Sequence, residues 1–369
     1  MIHYIKIWEY VGDYKRRGGF AKRQKIMIST KTIGKNDKNT IQKEYGKLRG
    51  PLNVMWDMTN RCNLHCMHCY NNSGIKPYYQ DLPDEKMEVI GRHIVEAGIP
   101  VVCFCGGEPL LRYPLLLKMA KLLSDNGIVV NMVTNGLLLD EDKIKALRQN
   151  GINGIQISLD SYRAEIHDKF RGVNGAFQKA LLALKLVLKT GLVPEVTFIP
   201  TKLNYSGVGE VIDILYDLGI RQLNSMPFIS LGRGYENRSC LKMNPEEKWE
   251  FEWLVREKLV QYADFEFNNG DPLEHIYLFS QNPEAKTITY EIKCNGDIAV
   301  SPYLPFLYGN AVEYSLNLLW EKGLKEVWKL PEVQAAVKRI ISLDDVENQE
   351  KRPWNNQDVQ LFGRCKHDL

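Results

Sequence analysis

The chain has 369 residues, 44% of them apolar and 25% charged, with a net charge of +3; this is the make-up of an ordinary globular protein large enough for two domains. No run of 18 uncharged apolar residues occurs, and the start Met1-Ile2-His3-Tyr4-Ile5-Lys6 lacks a signal-peptide core, so neither a membrane span nor export is expected. A cytoplasmic location follows, where the eight cysteines read as ligands, reactive thiols or small buried residues rather than as disulfides.

The first segment, residues 1–50, carries 13 Lys or Arg against four Asp or Glu, a charge of +9 in a chain whose remainder is −6. Such an extension reads as a solvated arm, or as a grip for an acidic peptide or a phosphate-bearing partner. No nucleic-acid-binding module accompanies the charge, so nucleic acid is not an expected partner.

From residue 51 to 234 one unit recurs. An amphipathic helix ends in a glycine followed by Ile or Leu (Gly98, Gly127, Gly151, Gly191, Gly219), and an apolar strand comes next. Glycine just past a helix adopts the left-handed cap without steric cost. Phe177, Leu181, Leu184 and Leu188 recur at helical spacing, as do Val208, Val211, Ile212 and Leu215, and Asp140 is placed to cap the helix that ends at Asn150. The predicted strands are Leu52–Met58, Val101–Cys105, Val129–Val133, Ile155–Leu159, Val196–Ile199 and Gln222–Met226. Short apolar strands alternating with helices form parallel β/α units. The expected fold is therefore α/β, an incomplete (β/α)6 TIM-like barrel; a flat doubly wound sheet shares the same periodicity and remains the alternative.

The unusual residues fall at the carboxyl ends of these strands, where parallel α/β proteins build their sites. Strand one leads into Cys62-Asn63-Leu64-His65-Cys66-Met67-His68-Cys69, a C-x3-C-x2-C loop. Three thiolates on one short loop can hold a cubane iron–sulfur cluster and leave one iron without a protein ligand. Gly106-Gly107-Glu108-Pro109 follows strand two, Thr134-Asn135-Gly136 strand three, Ser158-Leu159-Asp160 strand four, and Phe228 to Gly234 strand six. A structural zinc site would need a fourth ligand, for which His65 and His68 are near in sequence; that reading makes the chain a non-catalytic metal-binding protein.

Strand, C-x3-C-x2-C loop and Gly-Gly-Glu-Pro in this order resemble the radical S-adenosylmethionine (AdoMet) superfamily over about residues 51–234. The resemblance implies that Cys62, Cys66 and Cys69 each bind one iron of a [4Fe-4S] cluster and that AdoMet chelates the fourth. It implies that Gly106, Gly107 and Glu108 line the methionine end, that Asn135, Ser158 and Asp160 belong to the AdoMet site, and that Arg171 pairs with the AdoMet carboxylate. The implied chemistry is reductive cleavage of AdoMet to a 5′-deoxyadenosyl radical, which takes a hydrogen atom from a substrate. A one-electron donor such as a flavodoxin or ferredoxin is the implied partner.

Residues 235–285 read as a helical connector with an amphipathic helix over Pro245–Tyr262. Beyond it, Thr287 to Lys293 alternates, Asn295-Gly296 turns and Ile298-Ala299-Val300 returns, a β-hairpin. With Gly309-Asn310 and short helices after it, residues 286–369 resemble the SPASM or twitch extension of radical AdoMet enzymes. The extension is degenerate: Ser301 stands where the hairpin cysteine is usual, and only Cys240, Cys294 and Cys365 lie outside the barrel. A cluster-free extension is expected. The alternative is one auxiliary iron–sulfur cluster on Cys365 with Cys294, Cys240 and His367 or Asp368. Unliganded, Cys240 and Cys294 are candidate hydrogen-atom donors to a substrate radical. The expected activity is modification of a ribosomally made peptide, by cross-linking or epimerisation; the alternative substrate is a small molecule such as a sugar, tetrapyrrole or other cofactor precursor.

Overall fold

The computed structural model describes residues 50–74, 79–192, 194–347 and 358–362. The basic arm and Cys365, His367 and Asp368 lie outside the described residues. Seven parallel strands run in chain order: β1 (Asn53–Asp57), β2 (Val101–Cys105), β3 (Val129–Thr134), β4 (Ile152–Ser158), β5 (Glu195–Phe198), β6 (Gln222–Ser225) and β7 (Glu266–Asn269). Between them run α1 (Asp84–Glu96), α2 (Tyr113–Asp125), α3 (Glu141–Gln149), α4 (Ala164–Arg171), α5 (Ala176–Lys189), α6 (Val208–Asp217) and, before β7, α7 (Pro245–Gln261). The five junction glycines hold φ between +63° and +93°, the left-handed cap read from the sequence. Asp140 caps α3, its Oδ1 accepting from the Lys143 N–H at 2.8 Å.

The alternation along each strand separates two faces. Trp56, Phe104, Met132, Ile157, Phe198 and Leu223 are buried in the main apolar core with the helices. Their neighbours Asp57, Cys103, Asn131, Gln156, Thr197 and Asn224 face the other way. There the side chains bond to one another: Gln156 Nε2 donates to Thr197 Oγ1, Asn224 Nδ2 to Glu195 Oε2 at 3.2 Å and Asn268 Nδ2 to Asn224 Oδ1 at 3.0 Å. Such a sheet packs its helices on the greasy face and leaves the other to hydrogen-bonding side chains.

The seventh strand lies inside the expected helical connector. Glu266-Phe267-Asn268-Asn269 is short and mostly polar, so its composition does not announce a strand; pairing with β6 in register makes it one.

After α8 (Glu274–Gln281) the hairpin forms as β8 (Thr289–Ile292) and β9 (Asp297–Ala299), antiparallel and followed by β10 (Phe306–Asn310). These strands do not make a separate sheet. β8 pairs parallel with β1, giving one eleven-stranded order β11-β10-β9-β8-β1-β2-β3-β4-β5-β6-β7, with β11 at Val359–Gln360. No helix among the described residues is long and apolar enough to cross a membrane.

Candidate active site

The cysteine loop leaves the carboxyl end of β1 and is held through its backbone from three sides. From the end of β2, the Gly107 N–H donates to Thr59 O at 2.7 Å and the Glu108 N–H to Arg61 O at 2.9 Å. From the end of α4, the carbonyls of Arg171 and Phe170 accept from the N–H groups of His65 at 3.1 Å and Met67 at 2.9 Å. From the turn after β6, the Arg233 N–H donates to Cys69 O at 3.0 Å. The pair Gly106-Gly107 thus has a backbone reason. A Cβ on Gly107 would stand 2.0 Å from Arg61 O, and one on Gly106 would stand 2.3 Å from Thr59 O, so two main chains approach as only glycine allows.

Arg233, which the sequence reading placed at a strand end without a role, is the loop's main side-chain anchor. Its Nε donates to Cys66 O at 2.9 Å, Nη2 to Ser73 O at 2.7 Å and Nη1 to Asn72 Oδ1 at 3.2 Å, all with the residue 6% exposed. A guanidinium presents several donors in a fixed fork, which suits three acceptors on one loop.

The three cysteine sulfurs each meet hydrogen-bond donors. Cys62 Sγ accepts from the Leu64 N–H at 3.4 Å and from Asn135 Nδ2 at 3.9 Å; Cys69 Sγ from the Ser73 N–H at 3.4 Å; and Cys66 Sγ from Arg171 Nη1 at 3.8 Å. Burial pushes the Cys62 thiol up to about 12 against the pull of the Leu64 N–H, and the Cys66 thiol up to about 11 against the pull of Arg171. Donors aimed at sulfur fit thiolates bound to metal, whose charge such contacts stabilise. Among the described residues no three His, Cys, Asp or Glu side chains close on one point as they would round a single ion; a cubane does not require that, because each thiolate takes a different iron. His65 is exposed, and His68 stacks on Phe170 with ring centroids 4.2 Å apart.

Glu108 turns inward. It is 0% exposed, its Oε1 accepts from Thr134 Oγ1 at 2.8 Å and the Leu110 N–H at 3.1 Å, and its Oε2 accepts from the Asn135 N–H at 2.9 Å. Burial raises its carboxyl to about 7 despite these donors. Glu108 therefore ties the end of β2 to the Thr134-Asn135-Gly136 turn, and Asn135 in turn reaches Asn63 Oδ1 at 2.8 Å.

Asp160 and Arg171 form a buried pair, with Arg171 Nε donating to Asp160 Oδ2 at 2.6 Å. The other carboxylate oxygen accepts from the Ile199 N–H at 3.0 Å. Burial opposes ionisation of Asp160, but Arg171, His68 and His167 together hold its carboxyl below the ordinary range. Arg171 is pushed up in turn, Asp160 and Cys66 outweighing its burial. Ser158 is half-buried at the last position of β4. The structure thus gathers Cys62, Cys66, Cys69, Gly106, Gly107, Glu108, Asn135, Asp160 and Arg171 around one loop.

The remaining cysteines make other contacts, and Cys294 borders Asp81, which accepts from the Asn60 N–H at the head of the loop at 2.9 Å. Cys240 is exposed on a helical turn, Arg238–Leu241, where its S–H donates to Asn237 O at 3.1 Å. Cys294 is 1% exposed just after β8; burial, Asp57 and Asp81 raise its thiol well above the ordinary value. Ser301 bonds His275 Nε2 at 2.7 Å. On the polar face, Cys103 and Cys105 stand with their sulfurs 3.6 Å apart.

Beside that pair lies a charged cluster with no counterpart in the sequence reading. Asp57 on β1 and Glu291 on β8 are 2% and 1% exposed, and Lys293 Nζ donates to Glu291 Oε2 at 2.8 Å. Burial and then Glu291 push the Asp57 carboxyl well above its ordinary value, while Asn71 Nδ2 donates to its Oδ2 at 3.3 Å. Nothing local in the sequence marks these residues; only the pairing of β8 with β1 brings them together.

Comparison with known proteins places the chain in context. Residues 56–223 match the model of the Radical SAM superfamily. The Fe-coproporphyrin III synthase of Methanosarcina barkeri is 29% identical over 258 residues, 68% of this chain and 64% of that protein. The AdoMet-dependent heme synthase of the same organism is 25% identical over 296 residues, 74% of this chain and 83% of that protein. The PqqA peptide cyclase of Gluconobacter oxydans is 26% identical over 191 residues, 52% of this chain and 53% of that protein. The crystal structure of Streptococcus suis SuiB bound to precursor peptide SuiA superposes with a TM-score of 0.61 at 19% identity, covering 79% of this chain and 70% of that one. At that identity the likeness is one of fold, a partial (β/α) barrel.

Proposed function

We propose, from the match of residues 56–223 to the Radical SAM superfamily, whose enzymes use a [4Fe-4S] cluster and AdoMet, that this chain is a radical SAM enzyme and removes a hydrogen atom from an organic substrate at the mouth of its barrel. The observation that carries this reading is the convergence of four hydrogen-bond donors on the sulfurs of Cys62, Cys66 and Cys69. Those three thiols would hold the cluster. Arg171 and Asn135 would set the charge around it, and Gly106-Gly107 would keep the second strand end against the loop. When bound, the cluster and AdoMet supply one-electron carbon–sulfur cleavage and the radical that abstracts hydrogen. The chain's own work is to hold the thiols as ligands, to seal the loop with Arg233 and to present the polar face to the substrate. The electron comes from a separate one-electron donor protein.

For the substrate, similarity beyond residues 56–223 favours a tetrapyrrole. Two relatives named as coproporphyrin and heme synthases match 68% and 74% of the chain, while two further heme synthases match 49% each and the peptide cyclase 52%. Peptide modification is the second reading, supported by that cyclase and by the fold shared with SuiB. The chain spans 64% of the first relative's length, so neither substrate is carried over whole.

The test is anaerobic reconstitution followed by reduction with dithionite. Iron and sulfide of about four each per chain and release of 5′-deoxyadenosine are expected. The triple variant Cys62→Ala/Cys66→Ala/Cys69→Ala should show neither. Iron-coproporphyrin consumed in step with deoxyadenosine supports the first substrate; a modified peptide with the porphyrin untouched supports the second. A wild-type chain without iron–sulfur absorbance overturns the proposal.

A further inference from the structure

Helix α7 carries apolar side chains on two opposite faces. Phe251 and Val255 are buried, Phe251 against Phe198 and Phe267 with ring centroids 6.2 and 6.0 Å apart. On the solvent side Trp249 is 66% exposed, Trp253 51% and Val260 85%, and the two indoles stack 5.7 Å apart. At 100° per residue these three positions fall on one stripe about 17 Å long. This corrects the expected amphipathic helix over Pro245–Tyr262: the polar face itself has a greasy ridge. Exposed tryptophans in a row are costly to leave in water and mark a surface that is covered in use.

The ridge is rimmed by acid. Glu246, Glu250, Glu252 and Glu257 are exposed beside it, against Lys248 and Arg256. A ligand for it needs apolar side chains and positive charge together. Residues 1–49, outside the described residues, have that composition: 13 Lys or Arg against four Asp or Glu, with Tyr4, Ile5, Ile7, Trp8 and Val11 near their start. The span is within reach. The described chain begins beside β1, and six strand spacings of about 4.8 Å, roughly 29 Å in all, separate β1 from β7, on which α7 packs. Forty-nine residues can reach across it, since a fully extended chain of that length spans up to about 160 Å.

We propose that the basic amino-terminal arm of this chain docks on the outer face of α7, with its aromatic and aliphatic side chains against Trp249, Trp253 and Val260 and its lysines and arginines against the glutamate rim. The face is then an internal docking surface, independent of the cysteine loop.

Zero-length carbodiimide coupling of the full-length chain tests this, with the monomeric fraction digested and mapped by mass spectrometry. Arm lysines joined to Glu246, Glu250, Glu252 or Glu257 are expected. The yield should fall about tenfold in the double variant Trp249→Ser/Trp253→Ser, whose exposed positions leave the melting temperature unchanged. Several results overturn the proposal: links between α7 helices of two copies, which assign the face to a dimer; arm lysines coupled only elsewhere; no links to α7; or an undiminished yield in the double variant.

Discussion

His275 lies 5% exposed between the rings of Tyr303 and Trp328, each with its centroid 5.9 Å away. Burial lowers its pKa to about 3, and burial likewise lowers His167 to about 4. In the unfolded chain both protonate near 6.5. Above that pH both states are neutral and the full stability is present. As the pH falls below 6.5 the unfolded chain takes up protons that the folded one refuses, so stability declines down to the folded values. Each histidine contributes a slope of about 1.4 kcal/mol per pH unit in that window. Urea unfolding at pH 6.5, 6.0 and 5.5 should show His275→Asn losing about 1 kcal/mol less over that unit than the natural chain, the unfolded imidazole being half protonated at its upper end; identical slopes would contradict the assignment. The residue also explains Ser301, whose hydroxyl partners His275 at the position where a cysteine was the expected pattern.

At the scale of elements, the turn after β6 is as important to the cysteine loop as the strand that carries it. Arg233→Met would leave Cys66 O, Ser73 O and Asn72 Oδ1 without their shared donor, a loss of roughly 3 kcal/mol or more. Arg233→Lys should rescue little, because one ammonium cannot match the fork. Thermal melts of the two variants, with iron content after reconstitution, check this; a lysine variant equal to the natural chain would refute it. Much of this level was legible in advance. Helical and strand periods placed β1 to β6, the junction glycines marked helix ends, and C-x3-C-x2-C marked the loop whose three sulfurs meet hydrogen-bond donors. β7 was hidden because Glu266-Phe267-Asn268-Asn269 offers a single apolar residue, too few for alternation to signal. Arg233 and the meeting of Glu291 with Asp57 were hidden for another reason: those contacts join distant parts of the chain, and no local pattern records such a contact.

For the whole molecule, the seam between β1 and β8 decides how the carboxyl-terminal third is attached. Strand pairing there is reinforced by Lys293 and Glu291 beside Asp57, all nearly inaccessible. Lys293→Met would leave two buried carboxyl groups facing each other without a cation, which should cost about 3–5 kcal/mol. Adding Glu291→Gln to it should return most of that loss, as apolar or neutral replacements of buried ion pairs often do. A double variant as unstable as the single one, by guanidinium unfolding, would show the pair to be incidental.

Because β1 sits between β2 and β8, the strand that launches the cysteine loop is synthesised long before one of its two neighbours. Asn53 pairs with Thr289, so a nascent chain leaving the ribosome carries its thiols on a half-bordered edge until the residues up to Thr289 have emerged. Contacts of such high sequence separation form late. Iron offered to those thiols before Thr289 emerges would meet an unfinished cradle, so loading of the proposed cluster is expected to follow the closing of β8 onto β1.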